Sequence, residues 1–238
     1  MTHPHTISKS AFWAGYRDGL PFILVAGPFG MLFGLAAADM GLNLLETMSM
    51  TILVIAGASQ FTALVLLKEN APTFIIILTA LAVNLRMAMY SAAMVPYLGQ
   101  ASRGMKLLLA YCNVDQSFGL ASLRFPKETS WTVANRSAYF CGASMAIMPF
   151  WVVFSYLGAS FGSLIPDSLA LDFALPICFL SIVAPALRTL PHILAAAASI
   201  IGAITLSWVP YSLGLMISAI IAMIIGAWAE KWLEGSNL

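Results

Sequence analysis

Along the chain, long apolar runs alternate with short polar breaks. A helix that crosses a bilayer needs about 20 mostly apolar residues. Eight stretches meet that measure, at 20–38, 46–67, 73–97, 106–123, 131–157, 170–187, 190–208 and 211–229. The pattern predicts an all-α, polytopic integral membrane helical bundle of seven or eight spans. It forms a single transmembrane domain over 1–238. Ahead of the first run, "SKSAFWAGYRDGL" alternates charge with Trp13 and Tyr16, which predicts an interfacial segment within 1–19.

Composition supports the membrane reading. The chain is 61% hydrophobic and 9% charged, whereas soluble domains run near 45–50% apolar and about 25% charged. So few charges cannot cover a soluble fold of 238 residues. A net charge of +1 argues against a nucleic-acid partner. Cys112, Cys141 and Cys178 lie in apolar segments and read as small buried side chains. The histidines are His3, His5 and His192, with no H-E-x-x-H, C-x-x-C or Gly-Lys phosphate motif. Zinc chemistry and nucleotide hydrolysis therefore lack their parts, and no cofactor is expected. Ala36 and Ala38 would suit a signal-peptide cleavage site. The run from Leu20 is too long for a signal core, however, and carries Pro21 and Pro28, so it reads as a retained first span.

The positive charges set an orientation. With both termini cytoplasmic, the inner segments hold Lys9, Arg17, Lys68, Arg124, Lys127, Arg188 and Lys231. The outer ones hold Arg103 and Lys106. Gly15/Gly19, Gly30/Gly34 and Gly158/Gly162 are small-xxx-small pairs that allow helix backbones to approach closely in lipid.

Polar residues at depth carry the candidate chemistry. Arg86 falls near the middle of the third run, where an arginine costs roughly 3 kcal/mol on insertion scales. It must face the protein interior or a wet cavity. Tyr90 lies one turn on, and Asn84 is placed to cap an interrupted helix. In the second run, "GASQF" places Gly57, Ser59 and Gln60 at mid-span. A break there would expose backbone groups, as in the discontinuous helices of transporters. In the fourth run, "YCNVDQSFG" places Asp115 near the middle, beside Gln116. Read as a continuous helix, that run sets Tyr111 and Asp115 on one face. A carboxylate at that depth needs a partner, and Arg86 is the natural one. Pro176 and Pro185 interrupt the sixth run, with Asp172 just ahead. Glu46 and Asp172 each open a broken span, the pattern an inverted repeat would leave. Plainer readings exist for each group. Arg86–Asp115 can be a structural lock, and Ser59 and Gln60 can simply bond across helices. Asp172 can be an interfacial cap, and Glu46 a solvated end residue.

At "GASQF", "LTALAVNLRMAMYSAAMVPYL" and "LDFALP" the chain resembles the AzlC family, the large subunits of bacterial branched-chain amino acid exporters. The resemblance runs from about Gly19 to Leu233, with the motifs in order. It implies export of valine, leucine, isoleucine and sometimes methionine across the bacterial inner membrane. It also implies a small hydrophobic partner subunit of the AzlD type. Two positions depart from the family pattern: Met87 replaces the usual His, and Gln116 the usual Glu. Each change removes an ionisable group from the presumed site.

The sequence thus favours a transporter that moves a small apolar amino acid outward by alternating access. Its substrate-binding candidates are Gly57, Ser59, Gln60, Asn84, Arg86, Tyr90, Asp115, Gln116 and Pro176. Two other classes stay open: a structural or regulatory membrane subunit, and an intramembrane enzyme. For the enzyme, Ser59 has no histidine nearby in sequence.

Overall fold

The computed structural model describes residues 9–161, 187–209 and 213–236. The sixth run falls largely outside them, with Asp172, Pro176, Cys178 and Pro185. Every described element is helical: α1 (Lys9–Gly19), α2 (Ile23–Asp39), α3 (Leu44–Val54), α4 (Gly57–Lys68), α5 (Thr73–Leu98), α6 (Arg103–Tyr111), α7 (Asp115–Arg124), α8 (Val133–Met145), α9 (Met148–Phe161), α10 (Leu190–Thr205) and α11 (Leu213–Ser236). The chain divides into two compact units, one of residues 1–64 and 80–166, the other of 65–79 and 167–238.

Four stretches are long and apolar enough to cross a membrane: Lys9–Asp39, Thr73–Leu98, Val133–Phe161 and Leu213–Leu233. They match the first, third, fifth and eighth runs. The second and fourth runs are each split into two short helices, α3 with α4 and α6 with α7. The seventh run forms α10, whose 16 residues make a rod of about 24 Å.

In the first unit, α1 passes through a 3-10 turn, Leu20–Phe22, into α2, and α8 leads into α9. These two rods pack side by side and run in the same direction. Gly15 lies against Tyr139 and Ala143, Gly19 against Ala143 and Ala146, and Gly34 against Ser155 and Ala159. In return Gly142 lies against Phe12 and Tyr16, and Gly158 against Met31 and Leu35. At most of these positions a Cβ would strike the other helix's backbone. Glycine is required there by proximity. Lipid offers no hydrophobic drive for helix association, so close van der Waals packing through small residues must supply it. The segment expected to rest on the bilayer surface therefore has a partner. Its small face of Ala11, Gly15 and Gly19 is buried against α8.

The rods are also alike in sequence. "KSAFWAG" (9–15) aligns with "RSAYFCG" (136–142). After a one-residue shift, Pro21-Phe22 aligns with Pro149-Phe150, and "GMLFGLAAAD" (30–39) with "GASFGSLIPD" (158–167). At the α1/α8 end the contact is reciprocal, with Gly15 and Gly142 in equivalent places. An inverted repeat would oppose its matching rods. These run parallel, so the likeness between the two rods is not that of an inverted repeat; the correspondence expected between Glu46 and Asp172 reaches residues outside the described ones. Helix direction is set by the number of crossings between two rods, which residue patterns alone do not reveal.

The hydrophobic core of this unit gathers Leu109, Cys112, Val114, Phe125, Tyr139 and Phe140 from α6 to α8, with Met94 and Leu98 of α5. A charged cluster ties the C-terminal ends of α1 and α7 to the middle of α8. The Tyr139 hydroxyl donates to Asp18 Oδ2 at 2.6 Å, and Arg124 pairs with Glu128 at 2.9 Å and reaches Asp18 at 3.8 Å. In the second unit, α10 and α11 pack as an antiparallel pair, Gly202 against Ser218 and Gly214 against Leu206.

Candidate functional site

The first break lies between α3 and α4. Helix α3 starts at a capping box in which the Asn43 side chain accepts from the Glu46 N–H and the Asn43 N–H donates to Glu46 Oε2. Glu46 is thus spent on the helix end, as its solvated reading anticipates. The helix stops at Val54 because Ile55 adopts a left-handed conformation, φ 40°, ψ 45°. For a β-branched residue this costs roughly 1–2 kcal/mol and persists only where the surroundings enforce it. The unusual backbone was expected at Gly57 and is found two residues earlier. Gly57 opens α4 and serves closeness: a Cβ there would come within 2.7 Å of the Phe29 ring and 2.9 Å of Trp151. Phe61, one turn on, packs on Phe29 and Phe33. The Gln60 Oε1 accepts from the Ala56 N–H at 3.2 Å, capping the new helix.

The second break, between α6 and α7, corrects the reading of "YCNVDQSFG" as one helix. Helix α6 ends at Tyr111 and α7 begins at Asp115. No proline or glycine interrupts the segment. Side-chain hydroxyls and an amide hold it open instead. Ser117 Oγ accepts from the Val114 N–H at 3.0 Å and lies 2.8 Å from the Cys112 carbonyl, to which Ser144 Oγ also donates. Asn113 Nδ2 donates to the Met87 carbonyl of α5 at 3.1 Å and to Ser91 Oγ at 3.2 Å.

The two breaks are joined. The Tyr111 hydroxyl, at the end of α6, donates to the Ile52 carbonyl near the end of α3 at 2.8 Å. It satisfies one of the carbonyls that the last turn of a helix leaves without an intrahelical partner. Beside this junction, Arg86 of α5 meets Asp115 of α7 with Nη2 3.0 Å from Oδ2. Asp115 occupies the first turn of α7, where the N-terminal end of the helix dipole favours negative charge. Both side chains are about one third to two fifths exposed. The Tyr90 phenol lies near both charges and stacks on Phe118 with ring centroids 4.0 Å apart.

The expected residues thus fall into groups. Arg86, Tyr90 and Asp115 come together, and Gln116 is half-buried next to Asp115. Ser59 and Gln60 are buried, but no hydrogen bond joins them to the ion pair among the described residues. Asn84 has no break to cap, because α5 is continuous. Pro176 lies outside the described residues. The sequence reading missed Asn113, Ser117 and Ser144, which look like ordinary polar residues of an apolar span.

Several buried polar atoms at these positions have no partner: Gln60 Nε2, Asn84 Oδ1, Arg86 Nε, Asn113 Oδ1 and Asp115 Oδ1. In low dielectric each such atom costs about 1–3 kcal/mol. These donors and acceptors remain open to a polar partner. Among the described residues no cluster of His, Cys, Asp or Glu could hold a metal.

Two interrupted helices linked end to end, with the Arg86–Asp115 pair alongside, belong to a polytopic helical membrane protein. The comparisons agree. The AzlC protein family model matches residues 21–165, and the chain belongs to that family. It is 26% identical over 231 residues to "Inner membrane protein YgaZ" of Escherichia coli (strain K12), covering 92% of this chain and 93% of that protein. It is 28% identical over 232 residues to an "Uncharacterized membrane protein" of Archaeoglobus fulgidus, covering 94% and 98%. A Helicobacter pylori (strain J99) membrane protein matches at 27% over 178 residues, covering 74% and 70%. No solved structure matches.

Proposed function

We propose that this protein exports small amino acids with apolar side chains by alternating access, working with a small AzlD-type subunit. The whole chain acts as one transporter domain in the bacterial inner membrane, with both termini cytoplasmic. The observation that carries the reading is the Arg86–Asp115 pair at 3.0 Å beside two joined helix breaks. A neutral charge pair and freed helix ends match a zwitterion: guanidinium or helix N–H groups for the carboxylate, Asp115 and freed carbonyls for the ammonium. Restricted apolar pockets would give modest selectivity among branched side chains, since one methylene is worth about 1–3 kcal/mol.

The parallel rods support the crossing count. If both traverse the bilayer, the chain between them crosses an odd number of times. The segments α3–α4, α5 and α6–α7 supply three. This fits the first five of the eight expected runs.

The test is efflux from cells loaded with a valine-containing dipeptide. A strain lacking this protein should hold valine longer, and restoring the protein with its small subunit should speed release. Arg86→Ala and Asp115→Asn should each cut efflux by at least tenfold at unchanged amounts in the membrane. A scaffold would keep its partner's activity in both variants. Unchanged efflux of every apolar amino acid tested, on deleting the protein, would overturn the proposal.

A further inference from the structure

Next to the ion pair, a cavity of about 310 Å³ opens between α5, α6 and α8. Its size is at the lower end of small-molecule sites, which run about 300–1,000 Å³. Its wall is apolar, with Met94 and Leu98 from α5, Leu109 from α6 and Phe140 from α8. One end is polar. There Ser91 Oγ, exposed, accepts from Asn113 Nδ2. The Met87 carbonyl can only accept, so it fixes which way the Asn113 amide points. Both amide protons are then used, and Oδ1 remains without a partner on a residue only 8% exposed. The other end carries the exposed Lys106, which has no acidic partner within 4.0 Å among the described residues.

We infer that this cavity is a second seat for the transported amino acid, one turn beyond the Arg86–Asp115 pair and on its route to the 98–106 loop. The inference rests on the transport reading. Lys106 attracts the carboxylate, Ser91 offers its remaining lone pair to the ammonium with Asn113 holding it in place, and the branched side chain lies on Met94, Leu98 and Leu109. A lipid acyl chain fits the wall but not the ends. It offers nothing to the open acceptor site on Ser91 Oγ or to Lys106, whereas a zwitterion answers both.

Ala110 faces the cavity and gives it a handle. In Ala110→Cys, the new thiol should react with a small maleimide, and leucine should slow that labelling at least threefold. Isoamylamine, without a carboxylate, and 4-methylpentanoate, without an ammonium, should protect less. Lys106→Gln should abolish the difference between leucine and isoamylamine. Ala110→Phe, which fills the space, should cut leucine efflux tenfold at unchanged membrane amounts. If leucine gives no protection and Ala110→Phe exports normally while Arg86→Ala does not, the second seat is wrong and transport stands. If leucine protects but deleting the protein changes no efflux, the seat stands and transport is wrong. Equal protection by all three compounds, or by a detergent of similar chain length, would mark a lipid groove and overturn the inference.

Discussion

Two parts of the first unit meet the bilayer in opposite ways. The rods α1–α2 and α8–α9 are close-packed, and the glycines along their seam allow backbone to touch backbone. The neighbouring group of α3–α4, α5 and α6–α7 has two breaks, a left-handed isoleucine, an ion pair and several polar atoms without partners. In hydrocarbon, unbroken helices satisfy their own backbone, and only packing is left to optimise. Broken helices must find other partners for their freed groups, and side chains supply several of them here: Tyr111 and Ser144 from other helices, Ser117 and Gln60 from the helix that follows each break. The rods therefore read as frame, and the broken group as the part with something to bind. The frame also carries the visible sequence repeat.

The largest effect should come from the frame. In Gly142→Leu a side chain would be forced into the Phe12 carbonyl and the backbone at Tyr16, where only hydrogen now fits. Overpacking usually costs about 1–3 kcal/mol when side chains can yield. Backbone cannot yield without separating the rods, so the loss should be larger. The expected outcome is little or no folded protein, measured as monodisperse material after mild detergent extraction. Normal yield would mean that the rods are not a rigid frame, and the contrast would collapse.

A middle-sized effect should come from the junction. Tyr111→Phe removes the hydroxyl that joins the breaks and leaves the Ile52 carbonyl without its donor. Losing such a partner costs about 1–3 kcal/mol. The protein should still be made, with a thermal midpoint lower by several degrees and efflux reduced several-fold. A stability loss with full efflux would reduce the junction to a structural tie and leave the ion pair to carry the function alone.

How much of this could be read from the chain divides along the same line. The pairing of Arg86 with Asp115 was legible, because a charge at mid-span needs a partner and few exist. The small-residue seam was legible at Gly15/Gly19 and Gly30/Gly34, though not which helix would fill it. That α1 would pack on α8 was not legible, because a helix partner so distant in sequence leaves no local trace. The α3–α4 break was located within a few residues, but the strained residue was taken for the glycine. Tertiary constraint, chiefly the packing of Gly57 against Phe29 and Trp151 and of Phe61 on Phe29, overrides local preference there. The α6–α7 break was illegible. Its cause is hydrogen bonding from Ser144 and to Met87 and Ser91, none of them close in sequence.

The smallest effect tests the comparison most closely, because it concerns a glycine on the other side of the divide. Gly119 lies in α7, one turn past Asp115, and a Cβ there meets nothing within 4 Å. Nothing in the packing requires glycine. Replacing an unconstrained helical glycine by alanine stabilises by about 0.5–1 kcal/mol. Gly119→Ala should therefore raise the thermal midpoint by a degree or two. If the broken group is a static lock, efflux should be unchanged or rise with the amount of protein. If α7 must bend or tilt as the site alternates, efflux should fall while stability rises, a pairing that packing cannot produce. A fall in both would mean that Gly119 has a close neighbour after all, and that the broken group is packed as tightly as the rods.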